Sequence, residues 1–202
     1  MPRDRRLASP TSPYRPRRLG LRDGRQVTLR AIAESDAPDI QRAFDRLSSA
    51  SRYQRFLHHK KQLSPDALAR GVHPRPGQDF AFVATVPRAD GVDIVGAAQY
   101  VRAEEGNAGT CEFAITVDEE WRGSGLARHL LACLLRRARR DGYTLMEGLV
   151  MADNAPMLTL ARKLGFTVEP APPEGSVVRV LRNLVPARRP PLRRRARAPK
   201  SR

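Results

Sequence analysis

The chain has 202 residues, 41 % hydrophobic, with two cysteines and a formal net charge of +16. That is enough for one domain with a sizeable core, and two cysteines exclude a disulfide-stapled scaffold. The charge sits at the ends: residues 1–25 hold eight Arg against two Asp, and residues 186–202 hold eight basic residues and no acid, so 26–185 is near neutral.

Residues 1–25, with Pro at 2, 10, 13 and 16, read as a disordered basic tail. Alternating Val27, Leu29 and Ala31 predict a strand over 26–32. Ser35 or Asp36 caps a helix to about residue 47, with Pro38 in its first turn and Ile40, Ala43, Phe44 and Leu47 on its inner face. A second helix starts at Ser48, where Arg52, Tyr53, Arg55 and Phe56 suit a packed helix with a solvated basic face. Ser64-Pro65-Asp66 opens a short third helix. Strands follow over 79–87, 94–102 and 110–117, joined by the turn Ala89-Asp90-Gly91 and a polar turn over 104–109, which implies an antiparallel meander.

The strand at 110–117 runs into Arg122-Gly123-Ser124-Gly125-Leu126-Ala127 and then an amphipathic helix over 125–141. Gly123 and Gly125 let a bulky anion approach the backbone, and the first N–H groups of the helix point at it. The helix dipole, Arg122 and Arg128 add positive charge, which suits a pyrophosphate. A tight turn alone would use the same glycines. The dinucleotide pattern G-x-G-x-x-G fails at Arg128, and no Gly-Lys-Ser/Thr of a phosphate loop follows. Arg136, Arg137, Arg139 and Arg140 complement the dipole at the helix end. A strand over 144–151 follows, parallel to the one before the loop because a helix connects them. Asn154 opens the last helix, Gly165 stops it, and strands over 166–168 and 177–184 close the domain; 186–202 reads as a second disordered tail.

The loop resembles the pyrophosphate loop Q/R-x-x-G-x-G/A of the GCN5-related N-acetyltransferases (GNAT), with Arg122, Gly125 and Ala127 at the defining positions. Asn154-Ala155-Pro156-Met157 and Lys163-Leu164-Gly165-Phe166 match a second block of that family. Leu29-Arg30-Ala31-Ile32, the run S-x-x-S-R-Y-x-R-F from Ser48 to Phe56, and Cys111 to Val117 are similar to the GNAT domain of the bacterial Pat-type protein lysine acetyltransferases. The resemblance implies an α+β GNAT fold over 26–185. It has a mixed sheet of about six to seven strands, mostly antiparallel with one splayed parallel pair, and about four flanking helices.

The resemblance also implies acetyl-CoA as the donor. Its pantetheine arm would lie against the backbone of Ile115 and Val117, and its pyrophosphate on Arg122 and the N–H groups of Gly123, Ser124, Gly125, Leu126 and Ala127. Asn154 would hydrogen-bond the arm; helix capping is the structural role open to it. Arg52 and Tyr53 would line the acceptor side.

Amine acetylation needs a neutral amine, and a lysine with a pKa of about 10.4 must first lose a proton. Glu112 is the candidate base. A carboxylate on a central strand is costly unless it is paired or at a wet cleft. It also matches the glutamate that serves as base in Pat-like enzymes. A Glu on an exposed strand face, paired with a neighbouring Arg, is the structural alternative. Many family members carry a tyrosine that protonates the leaving thiolate where this chain has Ala161; Tyr53 and Tyr100 are substitutes the residues do not separate.

The expected function is acetyl transfer to an amine, a protein lysine first, with an acyl-CoA synthetase as a candidate partner. A small amine is the alternative acceptor. A non-catalytic CoA-binding module, with tails contacting polyanions, is the alternative class. No apolar run approaches the roughly 20 residues of a membrane span, and the N-terminus lacks an apolar signal stretch, so a cytoplasmic location is expected. Cys111 and Cys133 read as buried thiols, and the four His form no ligand cluster, so no metal is expected.

Overall fold

The computed structural model describes residues 14–103, 109–171 and 176–185. Residues 104–108, most of the expected polar turn, and 1–13 and 186–202 of the expected tails lie outside them. The strands are β1 (Arg17–Gly20), β2 (Gln26–Ala31), β3 (Phe80–Arg88), β4 (Gly91–Arg102), β5 (Thr110–Val117), β6 (Leu145–Met151), β7 (Thr167–Pro170) and β8 (Val177–Asn183). They form one sheet in the order β1-β2-β3-β4-β5-β6-β8-β7. Only β5 and β6 pair in parallel, as the intervening helix requires.

The helices are α1 (Ala37–Arg46), α2 (Ser49–Phe56), α3 (Pro65–Val72), α4 (Leu126–Arg140) and α5 (Ala155–Lys163). Their starts follow local chemistry. Ser48 Oγ accepts from the N–H of Ser51, Ser64 Oγ from Ala67, and Asn154 Oδ1 from Met157. Pro38, Pro65 and Pro156 stand in first turns, where a missing N–H costs nothing.

Eight strands and five helices exceed the expected six to seven and about four. The extra strand is β1, placed by charge in a tail. It pairs with β2 from Arg17↔Leu29 to Gly20↔Gln26. Tyr14 packs edge-on against Phe82 with ring centroids 4.6 Å apart, and Arg17 donates to the Cys133 thiol at 2.7 Å. Arg17 and Arg18 of β1 are exposed, and the Arg17 guanidinium also lies over the Tyr14 ring at 5.6 Å, so a basic stretch still belongs to the fold.

Alternation along β4 and β5 gives the sheet two faces. Ala98, Tyr100 and Phe113 join α4 in the main core, and a side chain at Gly96 would meet Leu126 and Leu130. The neighbouring positions, including Ala97, Gln99, Glu112, Ala114 and Thr116, face a cavity of about 910 Å³ that α1, α2 and α3 also line.

Candidate active site

β5 and β6 pair only at Thr110↔Leu145, Cys111↔Met146 and Glu112↔Glu147. Beyond that point β5 continues on β4 to Val117, and β6 continues on β8 to Met151, with their facing edges unpaired. Phe113 is the next residue of β5 past this point. Its ring, packed on Phe166 at 5.3 Å, fills the space beside Gly148, where a Cβ would lie 2.6 Å from a ring carbon.

The direction of the free backbone groups follows from the ladder. Thr110 accepts from Ala103 and the Asp118 N–H donates to Val95, so even-numbered residues of β5 bond β4. Alternation then turns the N–H and C=O groups of Ile115 and Val117 into the opening. An extended polar ligand of one strand's width fits there.

The loop at the end of the opening has Gly123 at φ 76° and Gly125 at φ 89°, a region that favours glycine. Nothing lies within 4 Å of a Cβ built on Gly123. Among the described residues, the N–H groups of Gly123, Ser124, Gly125 and Ala127 carry no hydrogen bond. The Leu126 N–H is taken by Ser124 Oγ at 3.3 Å, and the Leu126 side chain is buried. Ser124 is itself turned inward, donating to the Trp121 carbonyl at 2.6 Å.

Arg122 stands away from these N–H groups. It donates to Ser51 Oγ at 2.6 Å and lies 3.8 Å from Glu119. Glu119 accepts from Ser48 and Ser51, which hold its carboxyl down at about 2. The Ser48-x-x-Ser51 spacing therefore fastens α2 to the turn before the loop. The cation beside Gly125 is Arg22, whose side-chain atoms lie 3.5 Å from a Cβ built there. Its N–H donates to the Ser124 carbonyl at 3.1 Å. Sequence reading missed Arg22 because it sits about a hundred residues upstream in the assumed tail. His129, partly buried and facing Arg128, Arg17, Arg136 and Arg22, is held below the usual imidazole value.

Glu112 lies where the strands part, on the cavity wall. Its surroundings raise its pKa, first by burial and then by the charge of Glu147, with Arg55 opposing. Glu112 is exposed on the strand face, as the structural alternative has it, but no hydrogen bond or ion pair engages it among the described residues. Burial pushes Arg55 down to about 10, still cationic at neutral pH. Arg55 and Phe56 line the cavity. Arg52 instead donates to the carbonyls of Leu47, Lys61 and Asp45 and covers the Phe44 ring, so it braces the fold. Asn154 caps α5 through Oδ1, which leaves its amide N–H₂ for a ligand.

Tyr100 is not set up as an acid. Tyr100 is buried, its hydroxyl donates to Asp141, and its pKa is raised, by burial first. Tyr53 packs on His59 at 4.9 Å. Ala161 is fully buried. Cys111 and Cys133 are free and buried. Among the described residues no group of three His, Cys, Asp or Glu is placed to hold a metal ion, and no helix is long and apolar enough to cross a membrane.

The family model "Acetyltransferase (GNAT) domain" matches residues 26–167. The chain belongs to the GNAT acetyltransferase family. An acetyltransferase of Pseudomonas aeruginosa is 34 % identical over 158 residues, covering 78 % of this chain and 84 % of that protein. The crystal structure of the GNAT domain of S. lividans Pat superposes with a TM-score of 0.75 at 25 % identity, covering 83 % of this chain and 96 % of that one. A shorter match is to an L-methionine sulfoximine/L-methionine sulfone acetyltransferase of Pseudomonas aeruginosa, 36 % identical over 84 residues, 41 % of this chain and 49 % of that one. For this N-acetyltransferase, the parted strands, the glycine loop and Glu112 lie in one continuous region of the fold.

Proposed function

We propose that this acetyltransferase moves the acetyl group of acetyl-CoA to a protein lysine, with Glu112 as the general base. One observation carries the reading. An otherwise unengaged carboxylate stands on the cavity wall where β5 and β6 part, beside backbone groups with no strand partner. The donor fits the residues present. Pantetheine amides would bond Ile115 and Val117, and the pyrophosphate would meet the free N–H groups of Gly123, Ser124, Gly125 and Ala127 with Arg22 alongside. The Asn154 amide would reach the arm.

The lysine arrives as an ammonium ion and gives one proton to Glu112. The neutral nitrogen bonds to the thioester carbonyl carbon, the C–S bond breaks, and the sulfur takes the second proton of the nitrogen. No tyrosine is needed, because a thiolate is a good leaving group and the nitrogen supplies its proton. The likeness to the GNAT domain of Pat supports a lysine acceptor, and the apolar cavity wall suits a lysine stem. An acyl-CoA synthetase is a candidate carrier of that lysine. A small amine is the second reading. It is favoured by the size of the cavity, which α1 to α3 roof over, and by the methionine sulfoximine acetyltransferase match.

Labelled acetyl-CoA offered with acyl-CoA synthetases, and separately with small amines, tests this. Label on one lysine supports the first reading; label on small amines alone supports the second. Glu112→Gln is expected to lower kcat/KM by about 10²–10⁴-fold while donor binding persists. The acid limb of the wild-type profile is expected above the usual carboxylate range, because the base must be ionised and its pKa is raised. Full activity of Glu112→Gln would overturn the base assignment.

A further inference from the structure

Glu112 does not stand alone at the parting of the strands. Glu147 is its register partner on β6, and paired residues of neighbouring strands point to the same face. Both line the cavity. Adjacent strands lie about 4.8 Å apart, so the two carboxylates are neighbours on the cavity wall. Nothing structural is gained from this. No hydrogen bond joins them, and among the described residues Glu147 has one ion pair, to Arg179 at 3.8 Å, while Arg179 is nearer Glu169 at 3.3 Å.

Arg55 faces the same space from α2, with no ion pair within 4.0 Å among the described residues; its guanidinium lies over the Phe56 ring at 4.8 Å. Of the other acids on the cavity wall, Asp118 is paired with Arg46 and Asp79 with Arg75. Arg70, His73 and Arg102 complete the charged groups there.

We propose that Glu147 is a positioning residue of the transfer reaction: with Glu112 it forms a two-carboxylate subsite that receives the acceptor as its ammonium ion. The proposal rests on Glu112 as the base and names its working partner. Like charges side by side attract a cation and repel each other, so the pair is relieved when an ammonium enters. Proton transfer to Glu112 then leaves one neutral acid, one carboxylate and a neutral amine. Glu147 keeps an N–H of that amine and so aims its lone pair. The raised pKa of Glu112, with Glu147 contributing after burial and Arg55 opposing, agrees with this arrangement.

The test uses full-length protein with ¹³C-labelled glutamate carboxyls, the Glu112 signal being identified by its loss in Glu112→Gln. In Glu147→Gln the Glu112 midpoint is expected to fall by about one pH unit, and in Arg55→Met to rise by a similar amount. The probe n-butylammonium, a lysine side-chain mimic, is expected to bind roughly tenfold more weakly to Glu147→Gln. Should Glu147→Gln not fold, Glu147→Asp keeps the charge and should hold the midpoint within a few tenths of a unit of wild type. An unmoved midpoint in Glu147→Gln, or a shifted one in a folded Glu147→Asp, overturns the inference. If Glu112→Gln keeps full transfer activity, the base reading fails instead, and the two failures are told apart.

Discussion

Asp36 is buried and Glu112 stands exposed on the cavity wall, and the fold drives their proton affinities apart. Burial alone would raise Asp36, but Arg30 grips both its oxygens at 2.6 Å and the Ala33 N–H adds a third bond, so its pKa is lowered. Its stabilisation is present above the unfolded value, near 3.9, and is lost as pH falls through the lower folded value. Arg30→Leu should therefore cost about 2–4 kcal/mol at neutral pH, discounted for the partial exposure of Arg30. In urea melts the gap between variant and wild type should narrow as the medium is acidified. Glu112 has the opposite sign. Its folded pKa is raised, so its charge opposes folding once pH rises through the window above the unfolded value. Glu112→Gln should then melt no lower than wild type at neutral pH while losing turnover. A variant that lost both would show Glu112 to be part of the scaffold.

At the scale of elements, what was legible in the sequence was what is local. Ser64-Pro65-Asp66, the Asp90-Gly91 turn and Asn154 carry their own starts and stops, and the structure has α3, the β3–β4 hairpin and α5 there. The glycine loop and Glu112 were legible because they lie on one short run. Glu147 was not, although it lies on a strand that was expected. Its place opposite Glu112 is a register across a parallel crossover, which no short-range pattern records. The contact of Phe113 with Gly148, just past that register, is likewise a cross-strand one. Gly148→Ala should cost about 1–3 kcal/mol by overpacking, since its Cβ would overlap the Phe113 ring. Adding Phe113→Leu should recover part of that loss in a double-mutant cycle. Additive costs would show that the ring is not what the added Cβ meets.

At the scale of the molecule, the N-terminal hairpin links the far edge of the sheet to the donor loop. Arginine and proline content placed residues 14–25 in a tail, and the family match itself begins at 26. Yet the β1–β2 turn binds the loop at three points. The Arg22 N–H donates to Ser124, Arg25 donates to the Glu120 carbonyl at 3.1 Å, and the Arg25 guanidinium lies over the Trp121 ring at 4.0 Å. Removing residues 1–25 would strip β1 from β2, expose Phe82 and the edge of β2, and free the loop whose N–H groups await the donor. A chain starting at Tyr14 should melt and bind acetyl-CoA like the full-length protein. A chain starting at Gln26 should melt lower by about 5 °C or more and raise the donor KM several-fold. Arg22→Ala separates the two effects, because it keeps β1 and removes only the cation beside Gly125. It should leave the melting point unchanged and weaken donor binding, less so at high salt, where phosphate attraction is screened. An unchanged donor KM in Arg22→Ala, together with a raised one in the chain starting at Gln26, would assign the hairpin to holding the loop in shape rather than to contacting phosphate.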